Sequence, residues 1–172
     1  PFYQTLVPQP VNPGKVRLVH HGIPSPERGL EKLIEMFHTL DNRFTLDFYL
    51  MRNQSPDYLS KLEKLASTFG NRIRFLDPVP MPELPKVLNQ YDIGLCMIQP
   101  WNFNYANCLP NKFFEFVQAR LAVAIGPTPD MQRYCDRYQF GIVSQDFEAG
   151  SLAQKINALD SEAIMQLKQK AH

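Results

Sequence analysis

The sequence predicts a doubly wound α/β domain, that is, a Rossmann-like parallel sheet with helices on both faces. Segments with strand character alternate with segments of helical periodicity along almost the whole chain. The strand segments are largely apolar, as is typical of strands that are buried on both faces of a parallel sheet. The length of 172 residues suits one such domain with a sizeable core.

The elements can be placed in order along the chain. Six strands are predicted, at residues 16–21, 45–51, 72–76, 92–98, 122–125 and 140–144. Helices are predicted at residues 27–40, 56–69, 82–90, from 110 to 120 or 121, at 130–137, and in segments from 147 to the end. Gly70 follows the second helix and provides a stop signal. Four prolines within residues 1–15 predict an extended linker ahead of the first strand.

The helix that begins at Pro110 carries the most informative polar residues. Asn111 is predicted to cap it, and Lys112 and Glu115 share one face. Because this helix follows a long loop and leads into a buried strand, its first N–H groups should lie at the rim of the sheet, where anions bind. Lys112 adds a positive charge, and Glu115 can accept two hydrogen bonds from a diol. The alternative is a solvated face with an ordinary Lys112–Glu115 pair.

The longest predicted loop, residues 99–110 (QPWNFNYANCLP), precedes this helix and holds the only tryptophan. A loop of 12 residues in a compact α/β domain is typical of a functional lid or binding loop. The alternative is an Ω-loop packed on itself and anchored by Trp101, Phe103 and Tyr105.

The turn after the first strand, residues 20–29 (HHGIPSPERG), is the second informative stretch. It lacks the G-x-G-x-x-G fingerprint of nicotinamide-binding domains, and the chain contains no P-loop. Gly22 would allow the backbone to approach a phosphate closely. Ser25 is predicted to cap the helix that follows.

Arg28 lies in the first turn of that predicted helix, where the helix dipole disfavours a cation. Its position is easier to understand if an anion binds beside it. The alternative is an ion pair with Glu31 or Glu35 across one turn of the helix.

Composition excludes several other classes of function. A formal charge of +1 provides no general attraction to nucleic acid or to an anionic membrane, so any anion site must be local. The three cysteines are widely spaced without a C-x-x-C pair, which favours a reducing, cytoplasmic location and argues against zinc. No signal peptide is visible, and no apolar run approaches the roughly 20 residues of a membrane helix.

Two adjacent histidines end the first strand. If the strand extends through them, His20 and His21 point to opposite faces of the sheet. We expect one of them to line the cleft, but no triad of metal ligands is evident and no metal site is predicted.

Residues 109–131 (LPNKFFEFVQARLAVAIGPTPDM) resemble the nucleotide-sugar site of retaining GT-B glycosyltransferases, in which a P-x-K-x-x-E-like helix precedes a short strand. The resemblance implies that Asn111 and Lys112 lie at the donor diphosphate and that Glu115 binds its ribose. These enzymes commonly carry E-x7-E, with the first Glu near the donor sugar. Asn107 occupies that position here, so it is expected to contact sugar hydroxyls without supplying a carboxylate.

The segment GIPSPERG, residues 22–29, is similar to the G-R-x-x-x-x-K-G turn of the same enzymes. Arg28 takes the place of their diphosphate-binding Lys, and Gly22 keeps the first glycine. Ile23 stands where they usually have Arg, so one phosphate contact of the family is in question.

Residues 72–100 resemble the strand, base-binding loop and short helix of that family. The resemblance implies that the backbone of residues 77–80, including Asp77 and Val79, reads the nucleobase edge, and that Leu84 lies near the ring. The alternative is ordinary turn chemistry, because Asp-Pro and Val-Pro need no ligand to explain them.

The resemblance covers roughly residues 14–160 and implies one half of a GT-B fold. It implies a nucleotide-sugar-binding domain at 16–160, a linker at 1–15 from a missing N-terminal acceptor domain, and a helical tail at 161–172. A retaining glycosyltransferase of polysaccharide biosynthesis is expected, with no cofactor and no obligatory metal. The full-length protein could then associate peripherally with a membrane, and this chain alone is expected to bind donor without transfer.

Two other functions remain open from the sequence. A sugar-nucleotide epimerase of the same architecture would need further acid and base residues, which cannot be placed here. A flavodoxin-like binding or regulatory module of the receiver type would have an acidic cluster at the end of the first strand, where this chain has His20–His21–Gly22.

Overall fold

The structure, a computed structural model, describes residues 5–172; residues 1–4 of the predicted linker lie outside this range. The strands are, in chain order, β1 Val16–Gly22, β2 Phe44–Leu50, β3 Ile73–Leu76, β4 Ile93–Cys96, β5 Ala122–Ile125 and β6 Gly141–Val143. They form one sheet in the order β3-β2-β1-β4-β5-β6, and all neighbouring strands are parallel. This is the doubly wound arrangement that the alternation predicted.

Eight α-helices occur within the described residues. They are α1 Leu30–Glu35, α2 Pro56–Ala66, α3 Leu84–Leu88, α4 Phe103–Ala106, α5 Asn111–Gln118, α6 Pro129–Tyr138, α7 Ala149–Asn157 and α8 Ser161–Lys170. Within this part of the chain, no helix has the length and apolar character needed to cross a membrane.

The helix predicted at 27–40 is divided into three pieces. A 3-10 turn, Pro26–Arg28, precedes α1, and a second, Met36–His38, follows it. The first break lies at Gly29, whose φ of +61° is left-handed. A Cβ at this position would lie 2.7 Å from Cγ of Gln99. Because Gly29 has no side chain, the loop after β4 can approach the backbone closely here.

The predicted loop at 99–110 contains the short helix α4. The side chain of Asn102 caps this helix by accepting a hydrogen bond from the Tyr105 backbone N–H at 2.9 Å. Trp101 and Phe103 are 68% and 81% exposed, so they do not anchor the loop as the Ω-loop alternative required. Tyr105 alone of the three aromatic residues packs against the core.

The core has two layers, one on each face of the sheet. Helices α1, α2 and α7 cover one face, with buried side chains such as Leu33, Leu62 and Leu152. Helices α3, α5 and α6 cover the other. The helix α5 packs very closely on β4, because Gly94 of β4 has no side chain. A Cβ on Gly94 would stand only 2.3 Å from Cγ of Phe116 on α5. This contact positions the polar side chains of α5 at the end of the sheet.

Both ends of the described chain pack on this domain. Leu6 accepts a hydrogen bond from Arg120, and Val7 accepts one from Asn89. In α8, the fully buried Lys168 places Nζ 3.0 Å from Oδ1 of Asp92, at the start of β4. The residues that we expected to be a helical tail are therefore tied to the sheet by a buried ion pair.

Candidate functional site

The candidate site lies where the strand order reverses, between β1 and β4. Loops that leave the carboxyl ends of these two strands diverge to opposite faces of the sheet and leave a crevice. A cleft of about 510 Å³ opens there. It is lined by His21, Gly22, Ile23, Arg28, Met81, Leu109, Pro110, Asn111, Lys112 and Glu115. Six predicted site residues are thus brought together: Gly22, Ile23, Arg28, Asn111, Lys112 and Glu115.

A smaller, apolar pocket of about 190 Å³ adjoins the cleft and shares three of its lining residues. Val79 and Leu84, both predicted to lie near a nucleobase, line this pocket together with Tyr49. Asp77 does not line it, and its carboxylate instead pairs with Nε of Arg52 at 2.9 Å. The hollow of about 580 Å³ on the outside of α6 is larger, but side chains of that single helix form it and none of the predicted site residues lies there.

The first turn of α5 faces the cleft without a side-chain cap. The N-cap residue is Pro110, which has no side-chain donor or acceptor, and Asn111 is the first helical residue. The predicted cap by Asn111 is therefore wrong, because that residue lies one position too far into the helix. The N–H groups of this turn and the dipole of α5 together favour an anion at this end of the cleft.

Lys112 is only 5% exposed, although the helical pattern alone favoured a solvated face. Its Nζ lies 3.0 Å from Nε2 of His20. Burial lowers the pKa of Lys112 to about 8, and the positive charge of Arg28 contributes to this shift. Within residues 5–172 no ion pair joins Lys112 to Glu115, so the predicted alternative of an ordinary pair is wrong.

Glu115 approaches the other histidine of β1. Its Oε2 is 3.2 Å from Nε2 of His21, but the two groups lack the alignment of a hydrogen bond. Burial lowers the pKa of His21 to about 3, with the charges of Lys112 and Arg28 adding to the shift. His21 is therefore neutral at pH 7, and the contact is not an ion pair. Burial raises the pKa of Glu115, while Lys112 opposes this change.

Arg28 reaches the cleft from the 3-10 turn that precedes α1. The alternative of a pair with Glu31 or Glu35 is wrong: Glu31 accepts hydrogen bonds from Tyr58 and Lys61 instead, and among the described residues Arg28 forms no ion pair. The predicted cap by Ser25 is also not formed, because its hydroxyl donates to the Glu27 carboxylate.

Asn107 does not line the cleft. It is exposed at the end of α4, where its Nδ2 donates a hydrogen bond to the Phe103 carbonyl at 2.9 Å. No three His, Cys, Asp or Glu side chains of residues 5–172 are grouped so that they could hold a metal ion.

The residues that sequence reasoning underestimated are the two histidines. Strand alternation placed them on opposite faces, and their rings pack accordingly: His20 on Phe48 at 5.9 Å between centroids, and His21 on Phe116 at 5.2 Å. We expected one of them to line the cleft, and His21 does. Their contacts with α5 join residues 92 and 94 positions apart, separations for which periodicity gives no signal.

The geometry can be compared with known proteins. No protein-family model matches the chain, and no curated protein sequence matches it either. A crystal structure of Anabaena Alr3699/HepE in complex with UDP matches with a TM-score of 0.75 at 16% identity, over 92% of this chain and 43% of HepE. The chain has the fold of one half of a GT-B protein.

Two further structures share this GT-B half. The C-terminal domain of the glycosyl transferase group 1 family protein LpcC from Francisella tularensis has a TM-score of 0.73 at 18% identity, over 92% of this chain and 83% of that domain. WaaG, a glycosyltransferase involved in lipopolysaccharide biosynthesis, has a TM-score of 0.70 at 17% identity. The chain spans less than half of HepE and of WaaG, covering 43% and 42% of them. At these identities the likeness establishes the GT-B half-fold that the sequence predicted.

Proposed function

We propose that this chain is the donor domain of a glycosyltransferase and binds a nucleoside-diphosphate sugar. The observation that carries the proposal is the convergence of two cations, Arg28 and Lys112, with the uncapped first turn of α5 in one cleft. Neither cation has a carboxylate partner within the described residues, so both can bind a diphosphate. HepE, which has the same half-fold, was crystallised with UDP.

The two cavities suggest how such a donor would lie. The diphosphate would occupy the space between Arg28 and Lys112, and the Glu115 carboxylate would accept hydrogen bonds from the ribose hydroxyls. The nucleobase would enter the adjoining apolar pocket between Val79 and Leu84. Backbone groups of residues 77–80 would contact its polar edge.

In the proposed reaction, the bond between the sugar C1 and the diphosphate oxygen breaks, and a bond forms from C1 to an acceptor hydroxyl oxygen, whose proton passes to the departing diphosphate. The departing diphosphate gains negative charge, which Arg28, Lys112 and the N–H groups of α5 would stabilise from fixed positions. Preorganised charge of this kind is commonly the largest contribution to catalysis. Transfer with retention at C1, without an obligatory metal, is the mode that the motif resemblance implies.

We also propose that this chain alone binds donor but transfers little. Alignment of an acceptor hydroxyl against C1 supplies a large part of the rate in group transfer. The GT-B proteins HepE and WaaG are more than twice as long as the matched region, and the acceptor would be held by such a second domain. A role in polysaccharide biosynthesis in the cytoplasm belongs to the same proposal, and the three unpaired cysteines fit a reducing compartment.

Binding measurements would test the donor function. Isothermal titration calorimetry with UDP, GDP, ADP and CDP and with the corresponding nucleosides should identify at least one diphosphate that binds more than about tenfold more tightly than its nucleoside. This difference should narrow as salt is raised, because it depends on charge. Binding of none of the four diphosphates, or equal affinity for diphosphate and nucleoside, would contradict the proposal. The first of these results is the one that a regulatory module without a nucleotide site would give.

A further inference from the structure

Lys112 and Glu115 are three positions apart on α5, a spacing at which a lysine and a glutamate commonly pair. Each contacts a histidine of β1 instead. Nζ of Lys112 lies 3.0 Å from Nε2 of His20, and Oε2 of Glu115 lies 3.2 Å from Nε2 of His21. Two adjacent histidines of β1 therefore contact the two charged side chains of α5.

The hydrogen bonds of His20 define its protonation. Its Nδ1 lies 2.8 Å from the Leu95 carbonyl oxygen, which can only accept, so Nδ1 carries the hydrogen. Nε2 then has a free lone pair and accepts a hydrogen bond from the Lys112 ammonium. His20 is 2% exposed, and burial together with the charge of Lys112 lowers its pKa well below the ordinary value. The ring is thus a neutral acceptor in a defined orientation.

His21 lies on the other face of the strand. It is 8% exposed, its ring edge packs on Phe116 of α5, and its Nε2 has no aligned hydrogen-bond partner within the described residues. A buried ring nitrogen without such a partner is costly, and among residues 5–172 the carboxylate within 4 Å of it is that of Glu115. The pleat of β1 lets neighbouring side chains reach Lys112 and Glu115 from different sides.

We propose that His20 is a positioning residue that holds the Lys112 ammonium away from Glu115, so that the ammonium faces the diphosphate and the carboxylate stays free for the ribose. This inference rests on the proposed donor function. In the absence of His20, the Lys112 side chain would turn one helical turn toward Glu115. Its charge would then be neutralised by the protein rather than by the ligand.

Two substitutions at His20 separate the roles of its ring nitrogens. His20→Gln retains an acceptor oxygen near the position of Nε2, whereas His20→Asn retains only a donor for the Leu95 carbonyl. With inorganic pyrophosphate as the probe, His20→Asn should bind about tenfold more weakly than wild type, and His20→Gln should stay within about threefold. His38→Asn, a change at an exposed histidine outside the cleft, is the matched control. Equal affinity of the two His20 variants would overturn the proposal.

A double variant tests the capture of Lys112 by Glu115. Adding Glu115→Gln to His20→Asn should restore most of the pyrophosphate affinity, because no carboxylate remains to hold the ammonium. A purely structural defect at His20 would not be rescued in this way. Absence of rescue, with all variants melting as wild type does, would overturn the proposal.

One measurement is independent of ligand binding. In the free chain at pH 7, long-range 1H–15N correlation NMR should show His20 neutral with its hydrogen on Nδ1. A hydrogen on Nε2, or a doubly protonated ring, would overturn the positioning of Lys112 whatever the chain binds. The expected tautomer in a chain with no affinity for pyrophosphate would support the positioning of Lys112 and contradict the donor function instead.

Discussion

Replacing Lys112 by methionine should lower the affinity for the bound nucleoside diphosphate by at least about 100-fold, since removing one partner of a buried charge pair commonly costs about 3–5 kcal/mol. Methionine has nearly the same length and suits the buried site, because Lys112 is only 5% exposed. Affinity for the nucleoside should change little, and the salt dependence of diphosphate binding should become shallower.

Calorimetry on wild type, Lys112→Met and the control Lys64→Met would check this result. Lys64 is exposed on α2, outside the cleft, so its loss should have no effect on binding. If Lys112→Met stays folded and binds the diphosphate as tightly as wild type does, Lys112 does not contribute to diphosphate binding.

The same lysine predicts a dependence on pH. Its pKa is lowered to about 8 in the free protein, and a bound diphosphate would raise it again. Affinity should therefore be nearly constant just below pH 8 and should fall above it, by up to about tenfold per pH unit, because binding then requires uptake of a proton. This additional fall above pH 8 should be absent in Lys112→Met.

Replacing Glu115 by glutamine should weaken binding of the ribonucleoside diphosphate by about 10- to 100-fold, the range for hydrogen bonds to a charged group. Glutamine keeps the shape of the side chain but removes the charge that the ribose hydroxyls would meet. Wild type should also discriminate against the 2′,3′-dideoxy analogue of the same diphosphate, and Glu115→Gln should lose most of that discrimination.

Comparison of the two diphosphates in calorimetry separates this role from a general loss of affinity. Glu162→Gln, an exposed substitution in the first turn of α8, serves as the control. If folded Glu115→Gln still discriminates between ribose and dideoxyribose as wild type does, the carboxylate does not bind the ribose.

Much of the fold was predictable because parallel strands are apolar and alternate with helices. The predicted strand 122–125 coincides with β5, and the other five predictions overlap β1–β4 and β6 with ends that differ by one or two residues. The helix at 27–40 was predicted too long because the pattern of apolar residues does not register a left-handed glycine. Gly29 takes that conformation where the loop after β4 approaches it.

The site was predictable only in part, for reasons that lie in long-range packing. The helical pattern showed that Lys112 and Glu115 share a face, but it could not show that this face lines a cleft rather than bulk solvent. The opposite wall of the cleft is formed by the end of β1, whose residues lie more than 90 positions earlier in the chain. The helix cap was predicted at Asn111, one residue after the actual N-cap, Pro110. Helix ends predicted from sequence are commonly uncertain by one or two residues.

The proposed function requires one diphosphate to lie between Arg28 and Lys112. A crystal structure of the chain with the nucleoside diphosphate that it binds most tightly would show whether it does. We expect diphosphate oxygens within hydrogen-bond distance of Lys112 Nζ and of the Arg28 guanidinium, with the ribose at Glu115 and the base in the pocket of Val79. A nucleotide bound outside this cleft, or bound there with its diphosphate directed away from both cations, would contradict the account.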